Sequence, residues 1–276
     1  MAGRVRIGIG GWTFAPWRGI LYPPGLPHAR ELAYAAGKLT TIEINGTFYG
    51  AQKPETFAKW REETPANFVF AIKAPRYATH RKNLAEAGPV VERFVQGGLL
   101  ELGGKLGPIN WQLMPTTTFD ARDLTAFLRL LPRKVGRREL RHAIEVRHES
   151  FRTEEFVDLA RRHEVAVILA GDSPHPRIPD ITGGFLYVRI MGTTSQAAQG
   201  YPSAALARWA RRARCYADGV APADLRTLSA RVPAPAGRDV FVYVIGGHKQ
   251  ANPAAAQALQ QRLDRARARR PPGTQR

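Results

Sequence analysis

Short apolar runs alternate with stretches of helical periodicity along the chain. Apolar runs of about four to eight residues are typical of buried strands, whereas apolar positions recurring every three or four residues predict helices. The runs predict eight strands, at residues 5–10, 41–45, 68–73, 109–113, 141–144, 165–170, 185–190 and 239–245. Helices are predicted after seven of them, at about residues 28–38, 54–63, 90–101, 121–131, 154–163, 203–216 and 253–267. After strand six, Pro174, Pro176 and Pro179 favour an extended loop instead.

Strands that alternate with helices imply crossover connections and a parallel sheet. Eight such units in a chain of this length predict an α/β fold, a single (β/α)8 barrel of the TIM type. A doubly wound open sheet is the alternative, but no GxGxxG turn follows strand one. Gly8-Ile9-Gly10-Gly11 has the glycines but runs into residues 12–16, which do not start a helix. We therefore predict one barrel domain over residues 1–263 and a basic, disordered tail over residues 264–276.

Polar side chains converge at the carboxyl-terminal ends of the predicted strands. Residues two apart in a strand share a face, and six strands place such groups on one face: Glu43 with Asn45, Lys73, Asn110 with Gln112, Glu145 with Arg147, Asp172, and Tyr187 with Arg189. Barrel enzymes build their active sites at this end. Internal ion pairs are the alternative explanation, but the convergence of six strands favours a pocket.

The residue types in this pocket suit an anionic substrate. The predicted substrate-binding residues are Trp12, Asn45, Tyr49, Lys73, Gln112, Arg147, His148 and Arg189. A carboxylate beside cations stays ionised, so Glu145 is the expected general base, with Glu43 or Asp172 as the second catalytic carboxylate. Two carboxylates across the mouth of a barrel also leave open a metal-free glycosidase.

A divalent metal ion is a further alternative for the same pocket. The candidate ligands are His80, His148, Asp172 and His248. Metal sites need three or four ligands from one constellation, and the sequence contains no HExxH motif. The sequence therefore requires no cofactor.

The net charge of +18 changes the picture of possible partners. From Ser203 onward there are 14 lysine and arginine residues against 4 aspartates, so the last quarter carries +10. Such a field attracts anions, including nucleic acid. A non-catalytic nucleic-acid or anion-binding protein that uses this basic quarter is therefore the alternative to an enzyme. Arginine-rich, solvated helix faces would explain the charge without any function.

Several classes of protein are disfavoured by the sequence. No apolar run approaches the roughly 20 residues that span a membrane, and the N-terminal residues have no signal-peptide core. Cys215 is the single cysteine, so no intrachain disulfide is expected. We expect a cytoplasmic protein without a membrane partner.

Five ordered motifs resemble a known family over about residues 5–263. They are Gly10-Gly11-Trp12 with Trp17-Arg18-Gly19 and Tyr22-Pro23; Thr41-Ile42-Glu43-Ile44-Asn45-Gly46-Thr47-Phe48-Tyr49; Phe70-Ala71-Ile72-Lys73-Ala74-Pro75 with Thr79-His80; Leu106-Gly107-Pro108 with Gln112-Leu113 and Pro115; and Glu145-Val146-Arg147-His148. The sequence resembles domain of unknown function family 72, the YecE-like proteins. The resemblance implies a TIM-type barrel but supplies no reaction. Residues 245–249 depart from an Asn-Asn-Asp-type motif of many relatives.

The leading hypothesis is an enzyme, of the phosphoester hydrolase type, that acts on a phosphate-bearing substrate such as a nucleotide or nucleic acid. A resemblance in fold to barrel phosphodiesterases that act on DNA with metal ions is an analogy only, because fold does not imply function.

Overall fold

The predicted apolar runs form a ring of parallel strands. The computed structural model describes residues 3–231, 234 and 236–268. The barrel strands are β1 (Val5–Gly10), β2 (Thr41–Ile44), β3 (Val69–Lys73), β4 (Leu106–Gln112), β5 (Arg141–Glu145), β6 in two segments (Ala166–Val167 and Leu169–Gly171), β7 (Phe185–Ile190) and β8 (Asp239–Val244). A short antiparallel hairpin, Lys134–Val135 with Arg138–Glu139, precedes β5 and was not predicted.

The ring closes at β6. From one end to the other the order is β6 (first segment), β5, β4, β3, β2, β1, β8, β7 and β6 (second segment). The first segment pairs with β5 and the second with β7, so this strand joins both ends of the sheet. Every pairing within the ring is parallel. The predicted TIM-type barrel is therefore confirmed.

Helices surround the ring. They are α1 (Glu31–Ala36), α2 (Gly46–Tyr49), α3 (Pro54–Glu62), α4 (Arg76–Thr79), α5 (Gly88–Gln96), α6 (Ala121–Leu130), α7 (Glu154–Arg162), α8 (Ser203–Ala217) and α9 (Asn252–Ala268). Asp120 caps α6 by accepting hydrogen bonds from the N–H groups of Arg122 and Asp123. None of the described helices is both long and apolar enough to cross a membrane.

The end of one predicted helix and the predicted end of the folded domain differ from the structure. The helix predicted over residues 90–101 ends at Gln96, because Gly97 and Gly98 follow and Gly98 has a φ of 100°. The last helix continues to Ala268, beyond the predicted domain boundary at Leu263. The rest of the predicted tail, residues 269–276, lies outside the described residues.

The loop between β6 and β7 contains no helix, as predicted. Residues 172–184 are all described and are held by polar contacts instead. The buried Asp180 carboxylate accepts hydrogen bonds from the N–H groups of Leu228 (2.9 Å) and Ser229 (3.0 Å). Tyr216 of α8 donates a hydrogen bond to the carbonyl oxygen of Pro179. Hydrogen bonds that involve backbone groups thus hold the loop that connects β6 to β7 in place of a helix.

Apolar side chains fill the barrel interior below its carboxyl-terminal end. They are Val69, Ala71, Ala143, Ala166, Ile168, Phe185, Tyr187, Phe241 and Tyr243. The rings of Tyr187 and Tyr243 lie 4.9 Å apart, and Thr41 Oγ1 lies 2.8 Å from the Tyr243 hydroxyl. This packed layer lies directly below the polar side chains at the carboxyl-terminal ends of the strands.

Candidate functional site

Two fully buried carboxylates occupy the carboxyl-terminal end of the barrel. Glu43 ends the inward face of β2 and Glu145 ends that of β5, and each is 0% exposed. Arg189 from β7 donates to both, with Nη2 at 3.1 Å from Glu43 Oε1 and Nη1 bonded to Glu145 Oε2. The alternation of side chains in parallel strands therefore brings three residues that are far apart in sequence into one ion-paired group.

Neutral side chains complete the hydrogen bonding of the carboxylates. Asn110 Nδ2 lies 3.4 Å from an oxygen of Glu43 and 3.4 Å from an oxygen of Glu145. Gln112 Nε2 donates to Glu145 Oε2 at 2.7 Å, and the Tyr187 hydroxyl donates to Glu43. Burial, followed by the charge of Glu43, raises the pKa of Tyr187 well above its ordinary value, so this phenol stays a donor.

Arg147 adds a second guanidinium to Glu145. Its Nε and Nη2 lie 3.1 and 3.0 Å from Glu145 Oε1. Burial raises the pKa of Glu145, but Arg189, Arg147 and Gln112 together outweigh it and lower the pKa to about 2. Glu145 is therefore ionised and accepts five hydrogen bonds. The predicted role of general base stays a prediction, and this geometry favours an anchoring role for Glu145 instead.

Lys73 is the third cation of the site, and neither Glu43 nor Glu145 forms an ion pair with it. It ends β3, is 8% exposed, and among the described residues its ammonium has no hydrogen-bond or ion-pair partner. The Phe48 ring lies 3.9 Å from Nζ. Burial and then Arg189 lower the pKa of Lys73 to about 8, against the opposing effect of Glu43 and Glu145. Three cations and two carboxylates leave the cluster with one excess positive charge.

Two histidines lie within the electrostatic influence of the cluster, His80 near Lys73 and Arg147 and His175 near Arg147. The ring of His80 is 5.2 Å from that of Phe48. Burial lowers the pKa of His80, and Lys73 and Arg147 lower it further. Burial and Arg147 likewise lower the pKa of His175, in the β6–β7 loop. Both imidazoles are therefore neutral at neutral pH.

The remaining predicted substrate-binding residues make no side-chain hydrogen bond to Glu43 or Glu145 carboxylate oxygens among the described residues. Trp12 packs edge-on against Trp60, with ring centroids 5.2 Å apart, and so contributes to the core. Tyr49 is 66% exposed at the end of α2. The amide of Asn45 lies beside Gly10, where a Cβ would approach Asn45 Nδ2 to 2.9 Å. The absence of a side chain at Gly10 thus leaves space for the Asn45 amide.

The candidate metal ligands Asp172, His148 and His248 have separate surroundings. Asp172 is exposed and accepts a hydrogen bond from Trp209 Nε1 at 2.6 Å, on the side of α8. His148 Nδ1 accepts from the N–H of Ser150 and caps a 3-10 turn. His248 precedes another 3-10 turn, at Lys249–Ala251. Within residues 3–231, 234 and 236–268, no three histidine, cysteine, aspartate or glutamate side chains form a group that could hold a metal ion.

Three residues of the cluster were not among the predicted catalytic and substrate-binding residues. Asn110 and Tyr187 share strand faces with Gln112 and Arg189, and that period-two signal identifies them in the sequence. Phe48 carries no such signal, because its place over Lys73 depends on the turn between β2 and α2.

A cleft of about 1500 Å³ lies at the opposite, amino-terminal end of the barrel. Arginines line it, and several have partners: Arg133 with Glu164, Arg141 with Asp239, and Arg161 with Asp180. The cleft is wide, but the buried and partly uncompensated charges are at the other end of the barrel. Since barrel enzymes also bind at that other end, we place the candidate site at the carboxylate cluster.

Known proteins resemble this chain in sequence. The family described as "Protein of unknown function DUF72" matches residues 6–276. The UPF0759 protein YecE of Escherichia coli strain K12 is 29% identical over 147 residues. That match covers 53% of this chain and 50% of YecE, so the chain spans about half the length of this relative.

Solved structures agree over nearly the whole chain. A DUF72 family protein from Thermotoga maritima has a TM-score of 0.67 at 22% identity, covering 96% of this chain and 99% of that one. A DUF72 family protein from Enterococcus faecalis has a TM-score of 0.69 at 17% identity, covering 95% and 96%. At these identities the similarity shows the fold alone.

Proposed function

The chain belongs to the DUF72 family of proteins of unknown function, and from this premise we propose that it is an enzyme acting on an anionic, phosphate-bearing small molecule. The observation that carries the proposal is the excess cation at the end of the barrel. Lys73 is buried, has no hydrogen-bond or ion-pair partner among the described residues, and lies in the electrostatic field of Arg147 and Arg189. A bound anion would neutralise this charge.

The anion would contact Lys73 and Arg147. Arg147 uses Nε and Nη2 on Glu145, and its Nη1 has no hydrogen bond to a described residue. Its side chain is 22% exposed, so this nitrogen is available to a ligand at the mouth. Neutral His80 and His175 would add hydrogen bonds. Glu43, Glu145 and Arg189 would hold these groups in place rather than contact the substrate, because they bond to one another.

Isothermal titration calorimetry with inorganic phosphate and adenosine monophosphate tests the binding step. A hydrogen bond to a charged group contributes about 1.5–3 kcal/mol, so Lys73→Met and Arg147→Gln should each weaken binding about tenfold or more. Arg152→Gln is the matched control, since Arg152 is an exposed arginine that pairs with Glu149. The proposal is wrong if neither compound binds the wild-type chain, or if Lys73→Met binds as well as the wild type.

The geometry gives less support to a two-carboxylate glycosidase. Such an enzyme needs a carboxyl group that keeps its proton near neutral pH. The pKa of Glu145 is lowered to about 2, and Glu43 shares Arg189 with it. Phosphoester hydrolysis by a nucleotide- or nucleic-acid-directed enzyme remains the expectation from the sequence.

A further inference from the structure

We propose that Lys73 forms a covalent imine with a substrate that carries a carbonyl group next to an anionic group, such as a 2-oxo acid or an aldehyde phosphate. The inference rests on the proposed function, because the same site would hold the anion. It adds the class of substrate and the residue that reacts with it.

The Lys73 amine is buried but makes no conventional hydrogen bond within the described residues. Its side chain is buried at the carboxyl-terminal end of β3, and its described neighbour at Nζ is the face of the Phe48 ring at 3.9 Å. A ring face occupies one side of an ammonium group but accepts no conventional hydrogen bond. The lone pair of the neutral amine would therefore be free to attack.

Lys105 shows what a buried structural lysine looks like in this protein. It is 9% exposed, close to the exposure of Lys73. Its ammonium donates to the carbonyl oxygens of Arg61 and Thr64 and to the Thr64 hydroxyl, at 2.5 to 3.1 Å. Three acceptors match its three donors. Lys73, equally buried, lacks all such acceptors among the described residues, so the fold does not use it as a structural donor.

Burial is the main cause that favours the neutral amine of Lys73. Arg189 on β7 and Arg147 after β5 oppose a third positive charge, whereas Glu43 on β2 and Glu145 on β5 offset them in part. Burial is the largest effect, and together these lower the pKa of Lys73 to about 8. About a tenth of the amine would then be neutral at pH 7. A desolvated lysine beside other cations is a known form of activated nucleophile.

The cluster also has unused hydrogen-bonding capacity. Asn110 Oδ1 and Arg189 Nε are buried, and neither has a partner among the described residues. Asn110 is 0% exposed and Arg189 3%. A buried polar atom without a partner is costly. A hydroxyl group on a bound intermediate would supply both a donor and an acceptor for these atoms.

The proposed reaction needs no oxidant or reductant. The neutral Lys73 nitrogen forms a bond to the carbonyl carbon, and the carbonyl oxygen takes up a proton as the nitrogen loses one, giving a carbinolamine. The carbon–oxygen bond then breaks, and the hydroxyl group leaves as water after taking up a proton. The product is a protonated imine, whose positive charge Glu43 and Glu145 would stabilise, while Arg147 would hold the anionic group.

Borohydride trapping on the full chain tests the proposal. The protein would be incubated with glyoxylate or with glycolaldehyde phosphate, reduced with sodium borohydride, digested, and mapped by mass spectrometry. We expect a stable secondary amine at Lys73 at least tenfold faster than at buried Lys105 or at exposed Lys53. The rate at Lys73 should rise with pH and level off above about pH 8. The two probes separate carboxylate-bearing from phosphate-bearing substrates.

Competition by inorganic phosphate or glycolate separates this inference from the proposed function. If both anions slow trapping at Lys73, both proposals are supported. If neither anion slows it, the imine proposal stands and the anion site is rejected. Anion binding that depends on Lys73, without faster trapping than at Lys105 and Lys53, rejects the imine and keeps the anion site. The absence of both effects rejects both. Because the map is made on the wild-type chain, the trapping result does not depend on the folding of a variant.

Discussion

Glu145 shows how this fold keeps a charge fully buried. An isolated carboxylate in the interior would take up a proton, because burial disfavours the charged form. Two guanidinium groups and two side-chain amides surround Glu145 instead. Buried ion pairs of this kind are weak evidence for stability, since desolvation offsets their attraction. Their removal is nevertheless costly, because the partners remain buried.

Glu145→Gln should destabilise the protein by about 3–5 kcal/mol at pH 7, because Arg189 and Arg147 lose a common counter-charge. The pKa of Glu145 is about 2 in the folded state and 4.5 without perturbation. A carboxyl group whose pKa is lowered by folding stabilises the protein at pH values above its unfolded pKa. That contribution is lost as the pH falls towards the folded pKa. Urea unfolding should therefore show a difference between variant and wild type that shrinks between pH 4.5 and pH 2. A difference that is constant over this range contradicts the assignment.

Lys73→Met should stabilise the protein at pH 7, by about 1–3 kcal/mol, because it removes a buried charge that lacks a paired acceptor. The pKa of Lys73 is about 8 when folded and 10.5 without perturbation. Between these values the unfolded chain binds more protons, so wild-type stability rises with pH. The advantage of the variant should shrink from pH 8 to pH 10.5 in thermal unfolding. Lys105→Met, which removes three hydrogen bonds, should be destabilising instead.

The period-two alternation of side chains predicted most of the cluster. In a strand, the position of a residue in the sequence determines the face of the sheet on which its side chain lies. Glu43, Lys73, Gln112, Glu145 and Arg189 all meet as that pattern indicated. Beyond a strand end the rule holds for Arg147 but not for every residue, since the direction of a side chain there depends on the turn. Asp172 has a φ of 52° and bonds to Trp209, and His148 caps a 3-10 turn. Neither direction is encoded in strand periodicity.

Among the elements, β6 differs most from a regular βα unit. It is split around Ile168, whose N–H still donates to Ile144 of β5. The loop after it replaces a helix, and prolines in the sequence predicted that replacement. The partners that hold the loop were not predictable, because Leu228 and Ser229 lie more than forty residues further along the chain. Contacts between distant irregular segments leave no periodic signal.

Asp180→Ala tests whether these contacts hold the loop. The variant leaves the N–H groups of Leu228 and Ser229 without their acceptor, and it removes a charge 3.7 Å from Arg161. Hydrogen bonds to a charged group suggest a loss of about 1.5–3 kcal/mol. The measurement is denaturant unfolding, with Glu139→Ala as control. Glu139 is an exposed partner of Lys134, so its loss should change stability by about 0.5 kcal/mol or less. Equal effects of the two variants would contradict the role of Asp180.

At the scale of the whole molecule, two sources of positive charge are distinct. One is the single excess cation at the buried cluster, and the other is the +10 carried by the chain from Ser203 onward. The first is enclosed and suits a small anionic group. The second is spread over residues that include three arginines between positions 269 and 276. Spread charge attracts polyanions with little specificity. The two sources therefore predict different ligands and different dependence on salt.

Titration of a fluorescent single-stranded oligonucleotide against salt separates these sources. We expect weak binding by the full chain that falls steeply with salt, because bound phosphates release counterions. A chain that ends at Ala268 lacks three arginines, and the absence of each arginine that binds a phosphate should flatten the logarithmic salt slope by about 0.7. Arg147→Gln should bind the oligonucleotide like the wild type. If it instead weakens binding as much as the truncation does, the nucleic acid enters the mouth of the barrel, and the small-anion site and the polyanion site are the same.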